Sequence, residues 1–76
     1  MVQGFVMVKT GAGRSEAVRE ELVGIEGVEE AHVVAGNFDI IVEVAGGEVY
    51  DILHAVVAEV QALDGVTDTK TYISLS

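Results

Sequence analysis

Seventy-six residues hold one domain with one modest core, near the size at which small folds need a staple. The chain has no cysteine, which excludes disulfides and Cys-based zinc sites and leaves oligomerisation as the staple. Thirteen acidic against four basic residues, a net charge of −9, repel a phosphate backbone and argue against direct nucleic-acid binding.

Half of the residues are hydrophobic, enough for a chain this short to turn some apolar surface toward a partner. No apolar run approaches the ~18 residues of a membrane span. The N-terminus enters a strand pattern without a signal-peptide layout, so a soluble cytoplasmic protein is expected. The acidic balance reads either as an acidic, soluble module or as a halophilic surface. In molar salt the Debye length falls to about 3 Å and such self-repulsion becomes tolerable. We take the halophilic reading, on composition.

Val2 to Lys9 is rich in Val, Phe and Met and reads as strand one. Thr10-Gly11-Ala12-Gly13 is a loop, and Ser15 is the expected N-cap, with Glu16 behind it suiting the helix dipole. Val18, Leu22 and Ile25 make a narrow helical stripe that Gly27 ends. Val28 to Ala35 reads as strand two and Phe38 to Val44 as strand three, with Gly36-Asn37 between them as a tight hairpin turn. Gly46-Gly47 breaks strand three. Glu48 opens a second helix with Val49, Ile52, Leu53, Val56, Val57, Val60 and Leu63 on one face. Gly65 stops it, and Val66 to Leu75 reads as strand four.

The order is β-α-β-β-α-β, and it repeats. Val18, Leu22, Ile25, Gly27 and Val28 correspond to Val56, Val60, Leu63, Gly65 and Val66 at one constant offset. Two right-handed βαβ units interleave into an α+β, ferredoxin-like arrangement: a four-stranded antiparallel sheet with two helices on one face. The other face stays uncovered. Either Phe5 and Met7 or Val6 and Val8 point into it, with Ile41 beside them, and an uncovered apolar face marks an interface.

Gly4-Phe5-Val6-Met7-Val8-Lys9-Thr10, the Val34-Ala35-Gly36-Asn37-Phe38-Asp39 hairpin, Leu63-Asp64-Gly65-Val66 and Thr69-Lys70-Thr71-Tyr72 together resemble the effector-binding domain of the Lrp/AsnC family of transcriptional regulators. This is also called the regulation of amino-acid metabolism domain. The likeness covers nearly all of residues 1–76. It departs from the full-length family in having no room for a helix-turn-helix, because both helices serve the sheet and neither is basic. The resemblance therefore implies a stand-alone form of the domain. It further implies free amino acids bound in pockets between dimers, dimers stacked into a ring, and mixing with or modulation of the DNA-binding members.

The chemistry of such a pocket follows from the ligand. An amino acid carries a carboxylate, which backbone N–H groups around a Gly-containing turn cradle, and an ammonium, which a carboxylate side chain pairs with. Gly36, Asn37 and Phe38 offer the turn backbone. Asp39 is either the ammonium partner or the cap of its own turn. Thr69 and Thr71, contributed by a neighbouring subunit if the family arrangement holds, either add hydroxyls or serve only as good strand formers.

Other chemistries are weaker. His32 and His54 are the only imidazoles, and His54 lies beside the apolar stripe, so no metal and no cofactor is expected. Gly11-Ala12-Gly13-Arg14-Ser15 lacks the Gly-Lys-Ser/Thr element of a phosphate loop and reads as a strand-to-helix connection. An acylphosphatase shares the fold and needs an Arg and an Asn. Arg14 and Asn37 are present, but its glycine-rich cradle is not, and no Ser-His-Asp or Cys-His set appears; the chain is not read as an enzyme. A purely structural oligomerisation module is the remaining alternative.

Overall fold

A computed structural model describes residues 1–76. The elements run β1 (Val2–Thr10), α1 (Ser15–Leu22), β2 (Val28–Val33), β3 (Ile40–Gly46), a second helix α2, and β4 (Val66–Ile73). Helix α2 is continuous but not uniform: α-helical over Val49–Asp51, π-helical over Ile52–Val56 and α-helical again over Val57–Ala62. The strands form one sheet in the order β2-β3-β1-β4, with every neighbouring pair antiparallel. This is the expected βαββαβ fold.

Pairing decides which row faces the helices. Val6 stands opposite Val42 and Val8 opposite Ile40, and all four are fully buried with Val18, Leu22, Val44, Ile52 and Val60. The core is wholly aliphatic, each of these side chains contributing about 1.5–3 kcal/mol on burial. The alternate row, Phe5 and Met7 with Ile41, therefore faces away from the helices. Phe5 pairs with Tyr72 and Glu43, and Met7 with Ile41 and Lys70. Phe5 and Tyr72 remain 41% and 50% exposed.

The structure corrects four local expectations. Arg14, not Ser15, is the N-cap of α1, and no side chain caps it. Helix α1 ends at Leu22, and Ile25 is buried from the turn beyond it. On α2, Val49 and Leu53 are exposed although they continue the apolar stripe. The N–H of Val57 bonds to the carbonyl of Ile52, an i→i−5 link that inserts one extra residue into the turn. That insertion turns Leu53 outward and keeps Ile52, Val56, Val57 and Val60 on the sheet.

The fourth correction concerns the hairpin. Strand β2 ends at Val33 and β3 starts at Ile40, so the connection is a six-residue loop, 34–39, not a two-residue turn. Gly36 has φ 159°, an extended value far from the roughly +60° that the first position of a I′ or II′ turn takes, and Asn37 lacks the positive φ that a I′ turn also needs. Val34 N–H closes the loop on Asp39 O at 2.8 Å, while Asp39 N–H donates to Val8 O at 2.9 Å on β1. The loop is thus held by the neighbouring strand as well as by its own ends.

Candidate functional site

The loop 34–39 and the outward side of β1 and β3 together shape a shallow hollow. It is lined by Met7, Val34, Ala35, Gly36, Asn37, Phe38 and Ile41, with a volume of about 420 Å³. The size lies within the range of small-molecule sites. Met7 and Ile41 form an apolar floor because they are the outward-facing pair of β1 and β3. Gly36 and Asn37 are exposed, while Phe38 and Asp39 are partly buried.

Asp39 makes a long-range contact in place of the expected cap on its own turn. Its Oδ2 accepts from Thr10 N–H at 2.8 Å and from Thr10 Oγ1 at 3.3 Å. Thr10 Oγ1 in turn lies 2.9 Å from Ser15 Oγ. Thr10 is where the β1–β4 register shifts, and the Asp39 carboxylate takes up its N–H there. So the side chain does not cap its own turn; it ties the start of β3 to the end of β1 and the first residue of α1. Oδ1 makes no hydrogen bond within the chain. Thr10 was not singled out from the sequence, since no local pattern marks a contact between residues this far apart.

Thr69 and Thr71 are not brought to the hollow. They pair with Val8 and Val6 on β4, which places them on the helix side, and Thr69 Oγ1 accepts from Gln61 Nε2 at 3.0 Å. Strand β1 separates β4 from β3, so two strand spacings, about 10 Å, lie between them and the loop. Within one chain the expected set splits in two: Gly36, Asn37, Phe38 and Asp39 at the loop, and Thr69 and Thr71 on the edge strand.

The two arginines are engaged elsewhere. Arg14 pairs with Asp64 at 3.1 Å on the surface, and Arg19 Nε donates to Ala31 O at 3.0 Å, tying α1 to β2. Arg14 is thus directed at the α2–β4 turn, and the acylphosphatase-like pairing with Asn37 gains no support.

The hollow lies beside the β2–β3 loop on the uncovered face of a βαββαβ sheet. Residues 3–76 match the model of the Lrp/AsnC ligand binding domain, and the chain belongs to that family. It is 33% identical over 74 residues to the uncharacterized HTH-type transcriptional regulator PF0250 of Pyrococcus furiosus, covering 92% of this chain and 49% of that protein. The chain thus spans about half the length of that curated relative. The crystal structure of the hypothetical protein PHS023 from Pyrococcus horikoshii superposes with a TM-score of 0.89 at 30% identity, covering 100% of this chain and 92% of the other. Transcriptional regulator NMB0573 of Neisseria meningitidis, whose structure is an L-Met complex, shares the fold with a TM-score of 0.82 at 18% identity, over 99% of this chain and 50% of its own.

Proposed function

We propose that this chain is an amino-acid effector-binding and oligomerisation module in transcriptional regulation of amino-acid metabolism. In this reading the domain is a regulatory module and not an enzyme. The observation that supports this reading most directly is the hollow of loop 34–39, where Gly36, Asn37 and Phe38 border an apolar floor of Met7 and Ile41; Asp39, at the end of the same loop, keeps Oδ1 without a hydrogen bond in the chain. An amino acid placed there sets its carboxylate against the loop backbone, its ammonium toward Asp39 and its side chain on Met7 and Ile41. Thr69 and Thr71 contribute hydroxyls only from a second copy, so dimers and higher oligomers complete the site. The L-Met complex of the Neisseria regulator supports an amino acid as the ligand class.

The partners in this reading are a free amino acid, further copies of the chain and full-length Lrp/AsnC regulators, in the cytoplasm. Direct nucleic-acid binding is disfavoured by the −9 charge, and neither helix within these residues is basic. No helix is long and apolar enough to cross a membrane. A thermal-shift screen of the common amino acids in concentrated salt tests the proposal. A ligand of the folded state raises Tm by mass action, and a flat screen would favour the purely structural oligomerisation module. The exposed Phe5 and Tyr72 on the open face would serve that alternative equally well.

A further inference from the structure

We infer that Glu30, His32 and Glu43 form a binding site for a divalent first-row transition ion, with Zn²⁺ as its representative, on the rim of the open sheet face. One ligand atom from each of the three lies within 4.8 Å of the others. Such a site would run against the expectation from the sequence that no metal is bound. It is independent of the effector reading, since the hollow of loop 34–39 shares none of these residues.

The backbone builds the set. Val28 stands opposite Val44, yet Glu30 stands opposite Glu43, so β2 carries one extra residue at Glu29. Such a bulge re-aims the side chains that follow it. Here it puts Glu30 directly across from Glu43, and two residues on, His32 shares the face of Glu30 and stands opposite Ile41. An i, i+2 pair on one strand and a third group on its neighbour project three donors to one point.

Charge argues in the same direction. Carboxylates directly opposite one another on a sheet face repel and destabilise the pair. The row they occupy continues through Phe5 to Tyr72 and holds no lysine or arginine. Lys70 lies in the adjoining row on β4, beyond Met7. A divalent ion relieves the repulsion between both carboxylates, of which only Glu30 has a side-chain partner, His32. His32 Nε2 already lies 2.9 Å from Glu30 Oε1, and all three residues sit at the surface or only partly buried. Their side chains therefore need only small rotations to reach the ~3.4 Å ligand separations that follow from tetrahedral bonds of about 2.1 Å.

One imidazole and two carboxylates match zinc and its first-row neighbours better than magnesium or calcium, which prefer all-oxygen shells. Three protein donors leave coordination positions for water or for a donor from a second copy.

Calorimetric titration of the intact chain with Zn²⁺ in concentrated KCl tests the site, with imidazole nitrogen resonances recorded in parallel. The expected result is one ion per chain, a shift of the His32 resonances with those of His54 unmoved, and at least about tenfold weaker binding in His32→Ala and in Glu43→Gln. Mg²⁺ in tenfold excess should not displace the ion. Absence of binding, movement of His54 in place of His32, unchanged affinity in His32→Ala, or displacement by Mg²⁺ would each overturn the assignment. The resonance measurement is made on the unaltered chain and holds even if a variant folds poorly.

Discussion

Gly27 sits so close to Val56 that a Cβ built on it would overlap Val56 Cγ2, and the relation is mirrored where a Cβ on Gly65 would meet Val18 Cγ2 at 3.0 Å. Gly27 and Gly65 have φ of 97° and 96°, and each follows a helix of one half while packing on the helix of the other. Their carbonyls also match: Gly27 O accepts from Ala45 N–H at 2.8 Å and Gly65 O from Gly11 N–H at 3.0 Å. The internal repeat is therefore a pseudo-twofold relation in three dimensions.

Gly27→Ala combines the positive-φ penalty with a hard overlap against a buried β-branched side chain. It is expected to cost about 2–4 kcal/mol, while Gly65→Ala, with a looser contact, costs about 1–2 kcal/mol. Urea unfolding of the two variants checks both the size and the order.

Asp39→Asn is expected to weaken amino-acid binding by about 1.5–3 kcal/mol, the scale of a charge-assisted hydrogen bond. The Thr10 contacts add a second expectation. Asn still accepts from Thr10 N–H, but without charge assistance, so stability should fall by up to about 1 kcal/mol. Calorimetry with the ligand found by screening, beside urea unfolding, separates the two effects; unchanged affinity would remove Asp39 from the site.

The open face should hold dimers together. Phe5→Glu removes an exposed ring from the open face and sets a third carboxylate beside Glu43 and Tyr72, and is expected to shift a dimer or larger assembly to monomer. Light scattering at micromolar concentration in molar salt reads the state. A monomeric parent chain would end the oligomer reading.

Salt should stabilise the folded chain. With a net charge of −9, raising KCl from low to molar concentration screens self-repulsion, so Tm is expected to climb. A flat or falling Tm would count against a halophilic surface.

Promoter DNA should not be retarded by the pure protein at physiological or higher salt. The phosphate contacts that dominate such affinity need lysine and arginine, and two of the four basic residues are already spent on Asp64 and Ala31 O.

The elements and their order were legible because strand alternation, two helical stripes and the Gly27/Gly65 stops are local signals. What stayed hidden is non-local. Gly36-Asn37 has the composition of a tight turn, but Val8 O captures Asp39 N–H and Thr10 captures its carboxylate, and together they pull the start of β3 to Ile40. The π-helical turn at Ile52–Val56 has no residue signature, so the apolar stripe read from the sequence includes Leu53, which is exposed. The bulge at Glu29 is equally silent in the sequence, and without it Glu30 and Glu43 cannot be seen as neighbours. Of the expected site residues, Gly36 to Asp39 lie together at the loop, while Thr69 and Thr71 stand on the edge strand two strands away.

The loop 34–39 is also the joint between the two repeated halves, the one connection without a counterpart inside either. Both βαβ units are locked by the same Gly–Val contacts, so neither tolerates much change. The joint carries only the two backbone bonds at Val34 and Asp39. Its tip, from Ala35 to Asn37, is exposed and can be lengthened, shortened or rewritten while the halves stay as they are. A lineage could thus rewrite the lining of the hollow by editing three residues at a seam, leaving the scaffold on either side untouched.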